Sequence, residues 1–241
     1  MLVLESMLSR TEMLIGKEGV ERLASSTVAV FGLGGVGSYA VEALARSGVG
    51  GFILTDFDTV SVSNINRQLH AFEDTVGMSK VELMVKRVSR INPTVRVTGH
   101  GQRYTPEDRH LFFDVRPNYV LDAIDDMGAK VDLIKYCLEQ GIPVVSSMGA
   151  GNKVDPSLFR VDDISKTSVC PMAREVRRRL RREGIVSGLK VVFSTEQPRQ
   201  SRWDNGPPKR VVPASISFVP PVAGMILAGV AVMDLLHTLS R

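Results

Sequence analysis

The stretch FGLGGVGSYAVEALARSGVGGFILTDFDTV, residues 31–60, decides how the rest of the chain is read. Ahead of it, Val28, Ala29, Val30 and Phe31 form a short apolar run that suits a buried parallel strand. Gly32, Gly34 and Gly37 then give the G-x-G-x-x-G spacing, with Gly35 added between them. Such glycines allow a tight turn and let main-chain N–H groups approach a phosphate. Residues 39–47 read as the following helix and 50–55 as a second strand. That strand ends at Asp56, about 20 residues after the last glycine, where a carboxylate can hold a ribose hydroxyl. Strand, turn, helix, strand and Asp together point to an adenine nucleotide. They leave open which nucleotide it is and which reaction it serves, and helix–strand packing is the alternative use of the glycines.

The same alternation continues outward from this stretch. Strands are predicted at residues 27–31, 51–55, 94–99, 119–123 and 143–147, and helices at 35–47, 78–91, 105–114 and 128–140. A β–α alternation of this kind predicts an α/β fold: a doubly wound, mainly parallel, Rossmann-like sheet with ligands at the strand C-termini. After Gly151 the alternation stops. LFRVDDI and GLKVVFS read as short strands flanking a basic helix, and a loop rich in Pro, Arg and Lys spans residues 197–213. An apolar helix is predicted from about 222 to 239. The expected organisation is a nucleotide-binding domain over residues 1–150 and a smaller C-terminal part, 151–241, packed on the same core as one compact unit.

Composition excludes several classes. With 241 residues, 44% of them hydrophobic, the chain can bury one substantial core. Cys137 and Cys170 form no C-x-x-C pair and no disulfide framework, so a cytoplasmic location is expected. The start, MLVLESMLSR, carries Glu5 inside its apolar part and no small-residue cleavage site, unlike a signal peptide. The uncharged run at residues 222–233 is shorter than the roughly 20 residues that span a bilayer, so it reads as a core helix and no membrane partner is expected. The four histidines show no metal spacing.

Charge is unevenly distributed. Residues 1–150 carry 15 Lys/Arg against 18 Asp/Glu, whereas residues 151–241 carry 15 against 8. Much of the excess lies in AREVRRRLRREG, where Met172, Val176 and Leu180 recur on one helical face. Arg174, Arg177, Arg178, Arg181 and Arg182 fall mainly on the rest of the surface, with few acidic residues to pair them. This is either a solvated face or a polyanion-binding one, nucleic acid being the first candidate. Lys190, Arg199, Arg202, Lys209 and Arg210 add to the charge, and Trp203 among them either packs the loop or stacks on an unpaired base.

The segment TDFDTVSVSNINRQLHAFEDTVGMSK separates redox from other chemistry. A dehydrogenase has no evident use for Asn64, Asn66, Arg67 and Gln68 directly after the ribose carboxylate, with Lys80 at the start of the next helix. A fixed guanidinium and an ammonium suit a triphosphate whose α-phosphate is under attack. VLDAIDD then places Asp122, Asp125 and Asp126 at the end of the fourth strand, where a carboxylate can hold Mg²⁺ against phosphate oxygens.

In this order and at these separations, GLGGVGS, DFD, SNINRQ, VGMSK and LDAIDD resemble the ubiquitin-activating-enzyme-like adenylyltransferases. NRQLHAFEDTVGMSK, RINP, SSMGAGNKVDP and DISKT are most similar to a tRNA-modifying family within them, the bacterial tRNA threonylcarbamoyladenosine dehydratases. The resemblance implies that ATP activates the carboxylate of the threonylcarbamoyl group on an adenosine beside the anticodon, and that loss of AMP then closes a ring. It implies that Gly32, Gly34, Gly35 and Gly37 form the phosphate loop and that Asp56 binds ribose. It further implies that Asn64, Arg67 and Lys80 line the triphosphate, that Asp125 is the Mg²⁺-associated acid, and that Arg10 reaches the ATP of a partner subunit. A homodimer follows, with tRNA as partner and a sulfur-transfer or redox protein as a further one.

The chain departs from the wider superfamily in two respects. It lacks the two C-x-x-C pairs that bind zinc in many sulfur-carrier activators, so no zinc is expected. Cys137 reads as apolar packing inside a helix, while Cys170, in the exposed-looking SVCPM loop, is either an incidental or a reactive thiol. The competing readings are activation of the C-terminal carboxylate of a ubiquitin-like sulfur carrier and a non-catalytic nucleotide-binding adaptor. The basic C-terminal third argues against the first, and the set Arg67, Lys80 and Asp125 argues against the second.

Overall fold

The computed structural model describes residues 6–200 and 213–237. Seven strands form one sheet: β1 (Thr27–Phe31), β2 (Gly51–Thr55), β3 (Arg96–His100), β4 (Tyr119–Asp122), β5 (Val144–Ser147), β6 (Phe159–Asp163) and β7 (Lys190–Ser194). Their order across the sheet is β3-β2-β1-β4-β5-β7-β6, parallel throughout except for the antiparallel edge strand β6. The fold is the doubly wound α/β arrangement expected from the alternation.

Successive residues of β1 serve opposite faces, as a pleated strand requires. Val28 and Val30 join the core under α2 (Gly37–Arg46), α3 (Lys80–Ile91), α7 (Val219–His237) and Leu23 of α1 (Ser9–Ser25). Ala29 and Phe31 join the other core, under α4 (Arg109–Phe112), α5 (Met127–Glu139) and α6 (Pro171–Arg182). The C-terminal part continues the same sheet: β7 pairs parallel to β5, and α7 packs on α2. By length and composition α7 could cross a membrane, yet its Ala223, Leu227, Ala228 and Ala231 are buried in the core.

Element starts and ends differ from the sequence reading where local hydrogen bonds override periodicity. The third strand begins two residues late because Asn92 Oδ1 accepts from both the Thr94 N–H and hydroxyl in a turn. The 105–114 helix shrinks to the single turn of α4, since the Asp108 N–H donates to the Thr105 carbonyl in a separate turn. Helix α3 starts at Lys80 because the Ser79 hydroxyl caps it, accepting from the Glu82 N–H. Helix α7 starts earlier than expected, at Val219, with Pro220 and Pro221 in its first turn, where a missing N–H costs nothing. The 197–213 loop and Trp203, Arg202, Lys209 and Arg210 lie mainly or wholly outside the described residues.

Candidate active site at the sheet switch point

The chain runs outward from β1 to β2 and β3 in one direction and from β4 to β5 in the other, so the order reverses between β1 and β4. Ligands of doubly wound sheets bind at that point, beyond the strand C-termini. Here it opens into a cleft of about 540 Å³, within the size range of small-molecule sites. Gly32, Gly34, Gly35, Asp56, Asn64, Arg67, Lys80 and Asp125 all line it. Gly37 and Arg10 do not.

The phosphate loop is built by close approach. Gly32 has φ +89°, and a Cβ there would stand 2.6 Å from the Ala123 carbonyl oxygen. A Cβ on Gly37 would meet the Gly32 carbonyl oxygen at 1.8 Å, so Gly37 acts from behind the cleft by letting α2 start against the loop. The loop therefore delivers the N-terminus of α2 to the cleft, with the Ser38 N–H donating to the Gly34 carbonyl and no side chain capping the helix.

Asp56 follows β2 and is nearly buried. Its two oxygens accept the Leu33 N–H at 2.6 Å and the Asp58 N–H at 2.9 Å. Burial pushes its carboxyl above the usual range, opposed by Lys80 and by those two N–H groups. Lys80, 5% exposed, donates to Asp58 at 2.8 Å and lies 4.0 Å from Asp56. Asn64 is buried, and its side-chain carbonyl accepts the Ser61 N–H, fixing the turn that follows Asp56 and Asp58. Arg67 is half-buried and touches no carboxylate among the described residues: it donates to the Ser63 carbonyl and the Asn66 side chain. Burial lowers its pKa, the mark of a guanidinium held partly out of water. Gln68 completes this wall, its Oε1 buried and without a partner among the described residues.

The three aspartates of VLDAIDD have separate fates. Asp122 is fully buried and accepts from Lys130 Nζ at 2.7 Å and the Ser146 hydroxyl at 2.6 Å. Asp126 caps α5, accepting the Ala129 N–H, and lies 3.8 Å from Arg103. Asp125 and Asp126 are both exposed and line the cleft, but of the two only Asp125 makes no ion pair or side-chain hydrogen bond among the described residues.

Sequence reasoning missed several lining groups. The loop after β5, residues 147–153, forms the far half of the cleft, together with Cys170 and Met172. Lys153 is buried there. Cys170 is 2% exposed, which corrects its reading as an exposed thiol: it packs among Ile164, Ala173 and Val176, close enough to Lys153 to interact with it. Cys137 is buried as expected, and burial pushes its thiol far up. At the opposite end, the Arg103 guanidinium stacks 4.1 Å from the Phe57 ring centroid. The position of Lys153, just past a strand C-terminus, is the signal that could have found it.

The arginines of α6 are less free than the sequence suggested. Ala173, Val176 and Leu180 bury one face. Glu175 pairs with Arg178 at 2.6 Å and Arg179 at 2.7 Å, and the two guanidiniums hold its carboxyl down at about 2. Arg177 donates to the carbonyl and hydroxyl of Thr167. Lys190, too, is paired, with Asp234 at 2.6 Å. Arg174, Arg181 and Arg182 stay exposed without an ion pair among the described residues.

Fold and cleft together define an α/β protein of the nucleotide-binding type, with Arg67, Lys80 and Asp125 lining one cleft. The chain belongs to the ThiF family, whose model matches residues 8–241. It is 51% identical over 238 residues to the tRNA threonylcarbamoyladenosine dehydratase of Bacillus subtilis (strain 168), covering 95% of this chain and 94% of that one. It superposes with a TM-score of 0.89 and 34% identity on the crystal structure of E. coli tRNA N6-threonylcarbamoyladenosine dehydratase with ATP, over 100% of this chain and 99% of the other. The AMP complex of that E. coli protein gives the same TM-score and identity, with both chains wholly covered.

Proposed function

We propose that this chain is an ATP-dependent enzyme that dehydrates N6-threonylcarbamoyladenosine in tRNA through an acyl-adenylate. The observation that carries the reading is the cleft itself. One half holds the phosphate loop, Asp56, Arg67, Lys80 and Asp125, and the other half leaves room for a second substrate. The likeness to named dehydratases along almost the whole chain supports it.

In this reading Asp56 and the phosphate loop bind ATP, and Arg67 and Lys80 face its phosphates. A carboxylate oxygen of the substrate attacks the α-phosphorus, and pyrophosphate leaves. A group on the same side chain then attacks the activated carbonyl, the ring closes and AMP leaves with the original carboxylate oxygen. No protein nucleophile is needed. Closure is intramolecular and gains from proximity, while activation rests on positioned charge. Asp125 fits Mg²⁺, which usually takes one or two carboxylates along with phosphate oxygens. When bound, that ion would neutralise phosphate charge.

Two assembly features belong to the reading. Arg10 lies exposed on α1, outside its own cleft, beside Met13 and Leu14 at 86% and 88% exposure. That apolar surface suits a two-fold partner whose cleft would receive Arg10. The exposed arginines of α6 would hold tRNA, and a cytoplasmic location belongs to the same reading.

The test is mass spectrometry of nucleosides from threonylcarbamoyladenosine-containing tRNA incubated with protein, ATP and Mg²⁺. Loss of one water from that nucleoside is expected, with AMP formed in equal amount. An unchanged nucleoside together with adenylation of a sulfur-carrier protein would replace the reading with its alternative.

A further inference from the structure

We infer that Lys153 is an anion subsite that binds the substrate carboxylate and presents it to the α-phosphate, an inference that rests on the function proposed above. Phosphate loop and ribose acid follow β1 and β2, so the nucleotide occupies that side of the switch point. The loop after β5 lies on the opposite side of β4 and lines the half of the cleft left over. Its wall is largely uncharged, formed by Met148, Gly149, Ala150, Cys170 and Met172, with one cation, Lys153.

That cation is unusual. Lys153 is 3% exposed, yet among the described residues its ammonium has a single hydrogen-bond partner, the neutral Glu196 carbonyl at 2.8 Å. The Glu196 carboxylate is engaged elsewhere, accepting the N–H groups of Val154 and Asp155. An ammonium carries three donors, so two remain for a ligand. Buried charges are ordinarily paired, because an uncompensated one forfeits its hydration. Lys130 shows the satisfied alternative in this same protein: it donates to Asp122, the Ser146 hydroxyl and the Ser147 carbonyl. Among the described residues Lys153 has no such direct ion pair, the Glu196 carboxylate and the Cys170 thiol acting on it only through space, and it lines a cleft, as a site for the carboxylate of an otherwise uncharged group requires. The backbone aims it. Asn152, at φ +60°, exchanges main-chain and side-chain hydrogen bonds with Ala214 and so fixes the turn that points Lys153 inward.

The experiment compares wild type, Lys153→Met and Lys153→Arg on threonylcarbamoyladenosine-containing tRNA at saturating ATP, with ATP affinity measured separately. Lys153→Met should raise KM for the modified tRNA about tenfold or more, the loss of one charge-assisted contact. ATP affinity should stay within about twofold, and Lys153→Arg should recover most of the loss. An unchanged KM in Lys153→Met overturns the inference, as does a loss confined to ATP affinity. If Lys153→Met does not fold, wild-type protein decides the matter with a non-hydrolysable ATP analogue present. Threonylcarbamoyladenosine nucleoside should then bind about tenfold more tightly than its carboxyl methyl ester, and equal binding overturns the subsite. A wild-type enzyme that converts no modified tRNA strikes at the proposed function itself, whereas conversion with an indifferent Lys153→Met strikes only at this subsite.

Discussion

Lys80 is held beside two carboxylates, Asp56 and Asp58, in a nearly dry position, whereas Arg67 is partly exposed and meets no carboxylate among the described residues. The two cations should therefore fail differently. Arg67→Ala and Asp125→Ala are expected to cut turnover by about 10²-fold or more, the usual loss for a charge-stabilising contact, with thermal unfolding unchanged. Lys80→Ala should lose turnover and stability together, because it leaves Asp56 and Asp58 facing each other without their cation. Near-wild-type turnover in all three would remove the site. His70 offers a test by pH. It is 3% exposed with neither ring nitrogen partnered among the described residues, and burial, with Lys80 and Arg87 nearby, pulls its pKa down from 6.5 to about 4. Between those values the unfolded chain binds a proton that the folded chain refuses. Stability is thus whole above pH 6.5 and falls as pH drops toward about 4, by roughly 3 kcal/mol at the acid end. Urea midpoints across that window should fall steeply in wild type and less in His70→Phe. Equal slopes would assign the acid sensitivity elsewhere.

At the scale of elements, the phosphate loop depends on a helix that arrives last in the chain. A Cβ on Gly224 of α7 would stand 2.2 Å from the carbonyl oxygen of Val36, at the start of α2. Gly224→Ala should therefore cost roughly 1–3 kcal/mol by overpacking and weaken ATP binding too, since Val36 lines the cleft. Calorimetry of unfolding and of ATP titration checks both, and full ATP affinity in a destabilised variant would separate α7 from the site. This dependence was invisible in the sequence, as was the fate of every residue fixed by distant partners. Strands β1 and β2 were legible to the residue because continuous apolar runs bounded by Gly and Thr leave little choice. That the loop after β1, Asp56, Arg67, Lys80 and Asp125 meet in one cleft was legible because they follow the ends of neighbouring strands. Lys130 was not: a lysine within a helical pattern reads as surface, and only the register of β4 with β5 reveals Asp122 and Ser146 around it. Cys170 failed for the same reason, its burial set by residues 147–153 rather than by its own polar neighbours. Glu175 is a different failure, since an acid three and four residues before Arg178 and Arg179 was readable as a helical pair.

At the scale of the whole molecule, what the single chain leaves exposed must be accounted for by partners. Met13 and Leu14 of α1 are almost wholly exposed one turn from Arg10. Light scattering should report a dimer, and Met13→Asp with Leu14→Asp should give monomers of low activity. Monomeric wild type would count against Arg10 serving a neighbouring cleft. The harder partner to account for is the proposed tRNA, because residues 1–150, which carry most of the cleft, are slightly acidic and cannot by themselves attract a polyanion. The ion pairs within α6 narrow which of its arginines are proposed to do so. Arg178 and Arg179 already share Glu175, and Arg177 is spent on Thr167, so reversing those three would test the fold as much as the RNA contact. Arg174, Arg181 and Arg182 carry exposed charge with no ion pair among the described residues. Each phosphate neutralised by such a cation steepens the dependence of log affinity on log salt by about 0.7–0.9. Changing Arg174, Arg181 and Arg182 to Glu should therefore flatten that slope by about 2–3 and weaken tRNA binding most at low salt. ATP affinity should not move, since none of the three lines the cleft. Arg178→Gln, which removes a charge already offset by Glu175, should change the slope far less. A triple variant that kept the wild-type slope would return α6 to a solvated surface and move the RNA contact to other basic segments of the C-terminal third.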